Sequence, residues 1–144
     1  MRCCSPILVL FTIMLSPGCS SESNEKVDPR NCRETIPKNL PGLEVAGARP
    51  KGNVIRNLVP FVCRVREQTA ERRRSNPDLD GEILIRFTAE FQGEVTDNRI
   101  VETTVDDTLF MKEFEHTMRF LEFDPWGDVD DETNVVYRIR LTDL

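Results

Sequence analysis

The feature that most constrains the fold is a period of two in the apolar residues after Gly81. Every second position in this stretch is apolar, namely Ile83, Ile85, Phe87, Ala89 and Phe91. A period of two predicts a strand with one buried face. The Gln92-Gly93 pair predicts a turn, and Val95 to Val105 predicts a second strand with a bulge near Asp97-Asn98. A sheet with one apolar face needs other elements to cover it.

Two amphipathic stretches predict helices that provide this cover. The first has apolar residues at helical spacing, namely Val54, Leu58, Phe61, Val62 and Val65. Asn53 is the expected N-cap, Asn76-Pro77 ends the helix, and Pro60 predicts either a kink or a regular helix that begins near Val59. The second helix is expected to be capped by Asp106 or Asp107 and ended by Pro125. Its apolar stripe is Phe110, Phe114, Thr117, Met118 and Leu121.

A last alternating stretch, Val135 to Leu141, predicts a third strand. The predicted order is helix, strand, strand, helix, strand, which is an α+β fold. We expect a three-stranded antiparallel or mixed sheet with two helices on one face. A helical crossover makes the second and third strands parallel if both flank the first. The first strand is then central, and Val135–Leu141 is an edge.

The N-terminus predicts export from the cell. Arg2 precedes an apolar run, Pro6 to Leu15, which is shorter than the roughly 20 residues of a membrane span. We expect residues 1–18 to be a signal peptide. The stretch Leu15-Ser16-Pro17-Gly18-Cys19 resembles the lipobox of bacterial lipoproteins, which implies a lipid on Cys19. The residue after Cys19 is Ser20 and not aspartate, which resembles lipoproteins that are sent to the outer membrane. The domain would then face the periplasm. Ordinary cleavage near Gly18, giving a soluble periplasmic or secreted protein, is the alternative.

Residues 19–50 are polar and then rich in proline and glycine, which predicts a flexible tether. Within it, Leu40 to Ala46 could dock on the domain as an edge segment. Three cysteines follow the signal peptide. If Cys19 carries a lipid, Cys32 and Cys63 are left as a possible disulfide in an oxidising compartment. Two free thiols are the alternative.

Four short stretches resemble the TonB-like C-terminal domain, and in particular its AgmX/PglI variant. They are Pro77 to Ile83, Gln92 to Val95, Leu121 to Pro125 and Tyr137 to Leu141. The resemblance covers residues 51–144 and places Cys63 where the variant often has a cysteine in its first helix. Leu121 departs from the usual tryptophan. The second helix has no cysteine, so the helix-to-helix bridge of relatives cannot form.

The resemblance implies binding to a periplasmic or membrane protein, in part by strand pairing. Combined with the predicted sheet, it assigns the partner-binding edge to the last strand, where Arg138 and Arg140 could select an acidic partner. The residues of this predicted edge are Val135, Val136, Tyr137, Arg138, Ile139, Arg140 and Leu141.

The sequence contains little that predicts catalysis. The only histidine, His116, is expected on the solvent side of the second helix, and Asp128 to Glu132 lacks the ligand spacing of a calcium loop. The formal net charge of −6 argues against nucleic acid. Trp126 could pack on the domain or anchor a partner. We therefore expect no enzyme, metal, cofactor or small-molecule substrate, and favour a protein-binding envelope lipoprotein. A structural protein without a partner and an accessory to a polymer-processing enzyme are the alternatives.

Overall fold

The computed structural model describes residues 29–144. The predicted signal peptide and Cys19 lie outside these residues. The elements, in chain order, are helix α1 (Pro29–Thr35), strand β1 (Leu43–Gly47), helix α2 (Lys51–Arg73), strands β2 (Glu82–Glu90) and β3 (Val95–Thr103), helix α3 (Thr108–Met118), strand β4 (Glu132–Arg140) and a 3-10 turn (Leu141–Asp143).

The four strands form one antiparallel sheet in the order β1-β4-β2-β3. The α+β class is confirmed, and β2 lies between β4 and β3 as predicted. Because both neighbours are antiparallel to β2, they run parallel to each other. The predictions of three strands and of the order helix, strand, strand, helix, strand are wrong, since α1 and β1 precede that series and β1 adds a fourth strand beside β4. The segment around Leu43 does dock on the domain, and the predicted tether therefore contributes α1 and β1 to the fold.

The core lies between one face of the sheet and the helices α2 and α3. The alternating residues of β2 are buried there, together with the predicted apolar stripes of both helices except Thr117, which is half-buried. Phe61 of α2 meets Phe114 of α3 edge to face, with ring centroids 5.7 Å apart. The other face of the sheet carries polar residues such as Glu44, Arg86 and Arg140, and they are exposed.

Helix α2 begins earlier than predicted. Its N-cap is Pro50, and Asn53 lies buried inside the first turn. The Asn53 side chain accepts a hydrogen bond from the Arg49 guanidinium at 3.3 Å, so it serves a tertiary contact instead of a cap. The helix runs without interruption through Pro60 to Arg73.

Helix α3 confirms one predicted end and corrects the other. Asp107 is the N-cap, and its carboxylate accepts from the Phe110 N–H at 3.0 Å. The helix ends at Met118, well before Pro125. The chain leaves the helix because Leu121 and Phe123 are buried in the core, and the Phe123 N–H donates to the Gly93 carbonyl at 3.0 Å.

Strand β3 carries the predicted irregularity. Its pairing with β2 slips by one residue between Arg99 and Thr96, which confirms a bulge near Asp97-Asn98. Asp97 has φ 48°, the left-handed conformation that bulges can contain. A second slip occurs between Glu102 and Ile100.

Candidate peptide-binding edge and the pocket beside it

The predicted partner-binding edge is not an edge. Strand β4 pairs on both sides, and Val136, for example, lies opposite Glu44 on one side and Arg86 on the other. The backbone groups of β4 are therefore used within the sheet over most of its length. Its arginines, Arg138 and Arg140, lie on the polar face, where both contact the Glu82 carboxylate at 3.1 and 2.8 Å.

This arrangement affects the titration of Glu82. The hydrogen bond from Arg138 is the main reason why the pKa of Glu82 is lowered, with a further contribution from Arg140. Two cations share one carboxylate here, so this part of the sheet carries a net positive charge. That charge is local, because the chain as a whole is acidic.

Strands β1 and β3 are the outer strands of the sheet within residues 29–144. Strand β3 is longer, but its two bulges and its exposed charges are devices that protect an edge from further pairing. Strand β1 keeps a single register with β4 from Leu43 to Gly47 and contains no bulge. It is therefore the more regular of the two edges.

Two hydrogen bonds that flank β1 show which of its backbone groups are free. The Arg138 N–H donates to the Gly42 carbonyl at 2.9 Å, and the Ala48 N–H donates to the Glu132 carbonyl at 3.2 Å. Because bonded positions alternate in an antiparallel pair, the backbone groups of residues 43, 45 and 47 point away from β4. The Leu43 N–H is taken by the Leu40 carbonyl at 3.3 Å. Val45 retains both an outward N–H and an outward carbonyl.

A pocket of about 150 Å³ lies at the N-terminal end of β1. Its apolar lining comes from the segment before β1, from α2 and from β4, and includes Ile36, Leu40, Val62, Tyr137 and Ile139. Its charged lining consists of Arg66, Arg138, Arg140 and Asp143. Burial, followed by the negative charge of Asp143, raises the pKa of Tyr137 to about 12, so its hydroxyl is neutral at pH 7.

One wall of this pocket is held by a disulfide between α1 and α2. Cys32 and Cys63 are bonded, with their Cα atoms 5.8 Å apart, and both side chains are buried. The structure thus contains the bridge rather than two free thiols. A second link is the hydrogen bond from the Arg66 guanidinium to the Thr35 hydroxyl at 2.8 Å. Both links position the end of α1 against α2.

The remaining predicted positions form no chemical site among residues 29–144. His116 is exposed, and its ring meets that of Phe120 at 4.9 Å. Asp131 accepts from the Asp128 N–H at 2.8 Å, so the acidic loop bonds to itself. The described part of the chain holds no cluster of three or more histidine, cysteine or acidic side chains suited to a metal ion. Trp126 is 38% exposed, while its backbone N–H donates to the Phe91 carbonyl at 2.7 Å.

None of the helices in residues 29–144 has the length and apolar character needed to cross a membrane. This finding concerns only that range. The N-terminal anchor predicted from the sequence lies before it.

Comparison with known proteins gives one similar structure. No protein-family model and no curated protein matches the chain. The structure is similar to the solution structure of the TonB C-terminal domain of Helicobacter pylori, with 17% sequence identity and a TM-score of 0.36. The match covers 66% of this chain and 94% of that domain. A likeness of this size says nothing about a partner. Membership of the AgmX/PglI variant stays a prediction.

Proposed function

We propose that this chain is a non-enzymatic protein-binding domain of the cell envelope. In this proposal, an extended segment of a partner protein adds to the free edge of β1 as a fifth strand. The observation that carries the proposal is the regular edge of β1, which pairs with no other strand of residues 29–144 on its outer side, with the outward N–H and carbonyl of Val45 at its centre. The interrupted register of β3 makes that strand a poorer acceptor.

We further propose that the domain is anchored through a lipid on Cys19, with the outer membrane as its site. The lipobox-like sequence before Cys19 supports this. Several acyl chains hold a protein stably at a membrane, whereas one holds it weakly. A tether also raises the local concentration of a binding domain near its partner. Labelling cells with a clickable palmitate analogue should tag the wild type and not Cys19→Ala. An untagged wild type in the soluble periplasmic fraction would favour ordinary cleavage.

The edge can be tested by placing a photocrosslinking amino acid on each outer strand in intact cells. Glu44 on β1 and Glu102 on β3 suit this purpose, because both are exposed. We expect a discrete crosslinked product from position 44 and none from position 102. A product only from position 102 would assign the interface to β3. No product from either position would favour a structural protein without a discrete partner.

A proline at Val45 then tests strand pairing itself. The Val45 N–H points away from β4, so Val45→Pro removes a donor for the incoming strand and leaves the β1–β4 hydrogen bonds in place. The expected result is loss of the crosslinked product from position 44, with an unchanged far-UV circular dichroism spectrum. Thr103→Pro on β3 is the matched control and should leave the product intact, because the neighbouring Thr104 N–H donates to the Glu82 carbonyl and the Thr103 N–H therefore points away from β2. Survival of the product in Val45→Pro would rule out pairing at this edge.

A further inference from the structure

The structure assigns a specificity to the pocket beside β1. We infer that it receives one apolar side chain of the partner segment, next to a carboxylate in the same segment. This inference rests on the proposed function, because the pocket and the free edge would bind one continuous peptide. The inference adds the side-chain chemistry of the partner segment. Pairing at the edge uses main-chain hydrogen bonds and does not by itself select side chains.

The dimensions of the pocket suit a single side chain. Its volume is about 150 Å³, and its floor is formed by Val62, Tyr137 and Ile139, which are at least nine-tenths buried. A dry cavity of roughly 150 Å³ lined by apolar side chains accommodates a molecule of the size of benzene. A leucine, isoleucine or phenylalanine side chain meets that requirement.

The charges around the pocket favour a carboxylate beside the apolar group. Among the described residues Arg66 makes no ion pair, and its guanidinium donates to the Thr35 hydroxyl. Arg138 and Arg140 share the single carboxylate of Glu82. Arg66 is thus a cation of the pocket that has no carboxylate partner among the described residues. A partner carboxylate would pair with it, and a lysine there would be repelled.

The pocket is close enough to β1 for one peptide to reach both. Pro41 lines the pocket, and it lies two residues before Leu43, where β1 begins. Two residues of extended chain span at most about 7 Å. The apolar side chain should therefore lie within a few residues of the segment that pairs with β1.

The opposite end of β1 is acidic. Gly47 pairs with Thr133, next to Glu132, and Glu132 in turn lies opposite Glu90. A peptide that is acidic throughout would meet repulsion at this end. The preferred partner segment thus carries its carboxylate at the pocket end only.

The test uses an array of synthetic octapeptides and the full-length purified chain. One position varies among alanine, valine, leucine and phenylalanine, and its neighbour varies among aspartate, asparagine and lysine, on a constant threonine-valine background. We expect the strongest binding for leucine or phenylalanine beside aspartate. Replacing the large side chain by alanine should weaken binding about tenfold, because two or more buried methylene groups are lost. An array without this preference, or without any binding above background, overturns the inference.

Two protein variants locate the selectivity at the pocket. Arg66→Glu should weaken binding of the aspartate peptides at least tenfold and strengthen binding of the lysine peptides. Arg56→Glu, an exposed position on the same helix, is the matched control and should change either affinity by less than twofold. Equal effects of the two variants would refute a role for the pocket. Circular dichroism confirms that each variant is folded.

The same array separates failure of this inference from failure of the proposed function. If Val45→Pro abolishes binding while Arg66→Glu and the peptide side chains have no effect, the edge is the binding site and the pocket is not. If Val45→Pro leaves binding unchanged while Arg66→Glu switches the charge preference, the pocket is supported and strand addition to β1 is refuted.

Discussion

Arg49 offers the sharpest test of how this fold is held together. The residue follows β1, and its side chain is only 3% exposed. Its guanidinium donates to the Asp124 carbonyl at 2.7 Å, to the Glu90 carbonyl at 2.8 Å and to the Asn53 side chain at 3.3 Å. One cation therefore joins the end of β2, the start of α2 and the connection between α3 and β4.

Replacing Arg49 by methionine keeps much of the aliphatic stem and removes every side-chain donor. The two backbone carbonyls lose a charged partner, and each buried acceptor left unsatisfied costs about 1–3 kcal/mol. Part of this cost is offset, because the protein no longer buries a cation whose pKa is lowered chiefly by desolvation. We expect the free energy of unfolding to fall by about 3 kcal/mol. The melting temperature should fall by roughly 10 °C or more.

Urea denaturation of the full chain, followed by circular dichroism, measures this effect. Arg49→Lys is a useful companion variant, because an ammonium keeps the charge but lacks the planar fork that reaches two carbonyls at once. We expect its stability to lie between that of the wild type and that of Arg49→Met. Arg56→Met, on the exposed side of α2, should change stability by less than about 0.5 kcal/mol. A loss of that small size in Arg49→Met would refute the assigned role.

Three further outcomes follow from the described contacts. Reducing the disulfide, which joins residues 31 positions apart, should lower stability by about 3.5 kcal/mol in the chain-entropy account, measured by urea titration with and without reductant. The hydrogen bond from Arg72 is the main cause that holds the pKa of Asp107 well below its usual 3.8, so its stabilising effect is complete above that value and is lost as the pH falls below it. In Asp107→Asn, the free energy of unfolding should therefore depend less on pH in that range. Gly93→Ala should cost more than about 1 kcal/mol, because φ is 93° and the new methyl would overlap the Phe123 carbonyl, whereas Gly52→Ala meets nothing and should stabilise the helix. Equal melting temperatures for these two glycine variants would contradict that account.

The elements that sequence predicts best are those with a long, regular period. The alternation in β2 and the helical spacing in α2 extend over several turns or residues, and each reflects burial on one face. Asp107 was predictable for another reason, since a cap depends on local chemistry alone. The bulge at Asp97 left a detectable slip in the apolar pattern.

Other features leave no such trace. Strand β1 has only Leu43 and Val45 on its buried face, and the proline-rich and polar residues around it mask so short a signal. An edge strand and an interior strand of a sheet with one open face show the same alternation, so the pattern of Val135–Leu141 could not reveal its second neighbour. A buried arginine such as Arg49 resembles any surface arginine in sequence, because its carbonyl partners lie far away in the chain.

The disulfide between α1 and α2 also determines how a mechanical load would enter the domain. A pull on the chain before Cys32 reaches the fold at Cys32, and the covalent bond to Cys63 passes that force directly into α2. Strand β1 lies after this junction and is bypassed. With the bond intact, tension from the N-terminal side would not unzip β1 from β4. With the bond reduced, the same tension would be applied to β1 first.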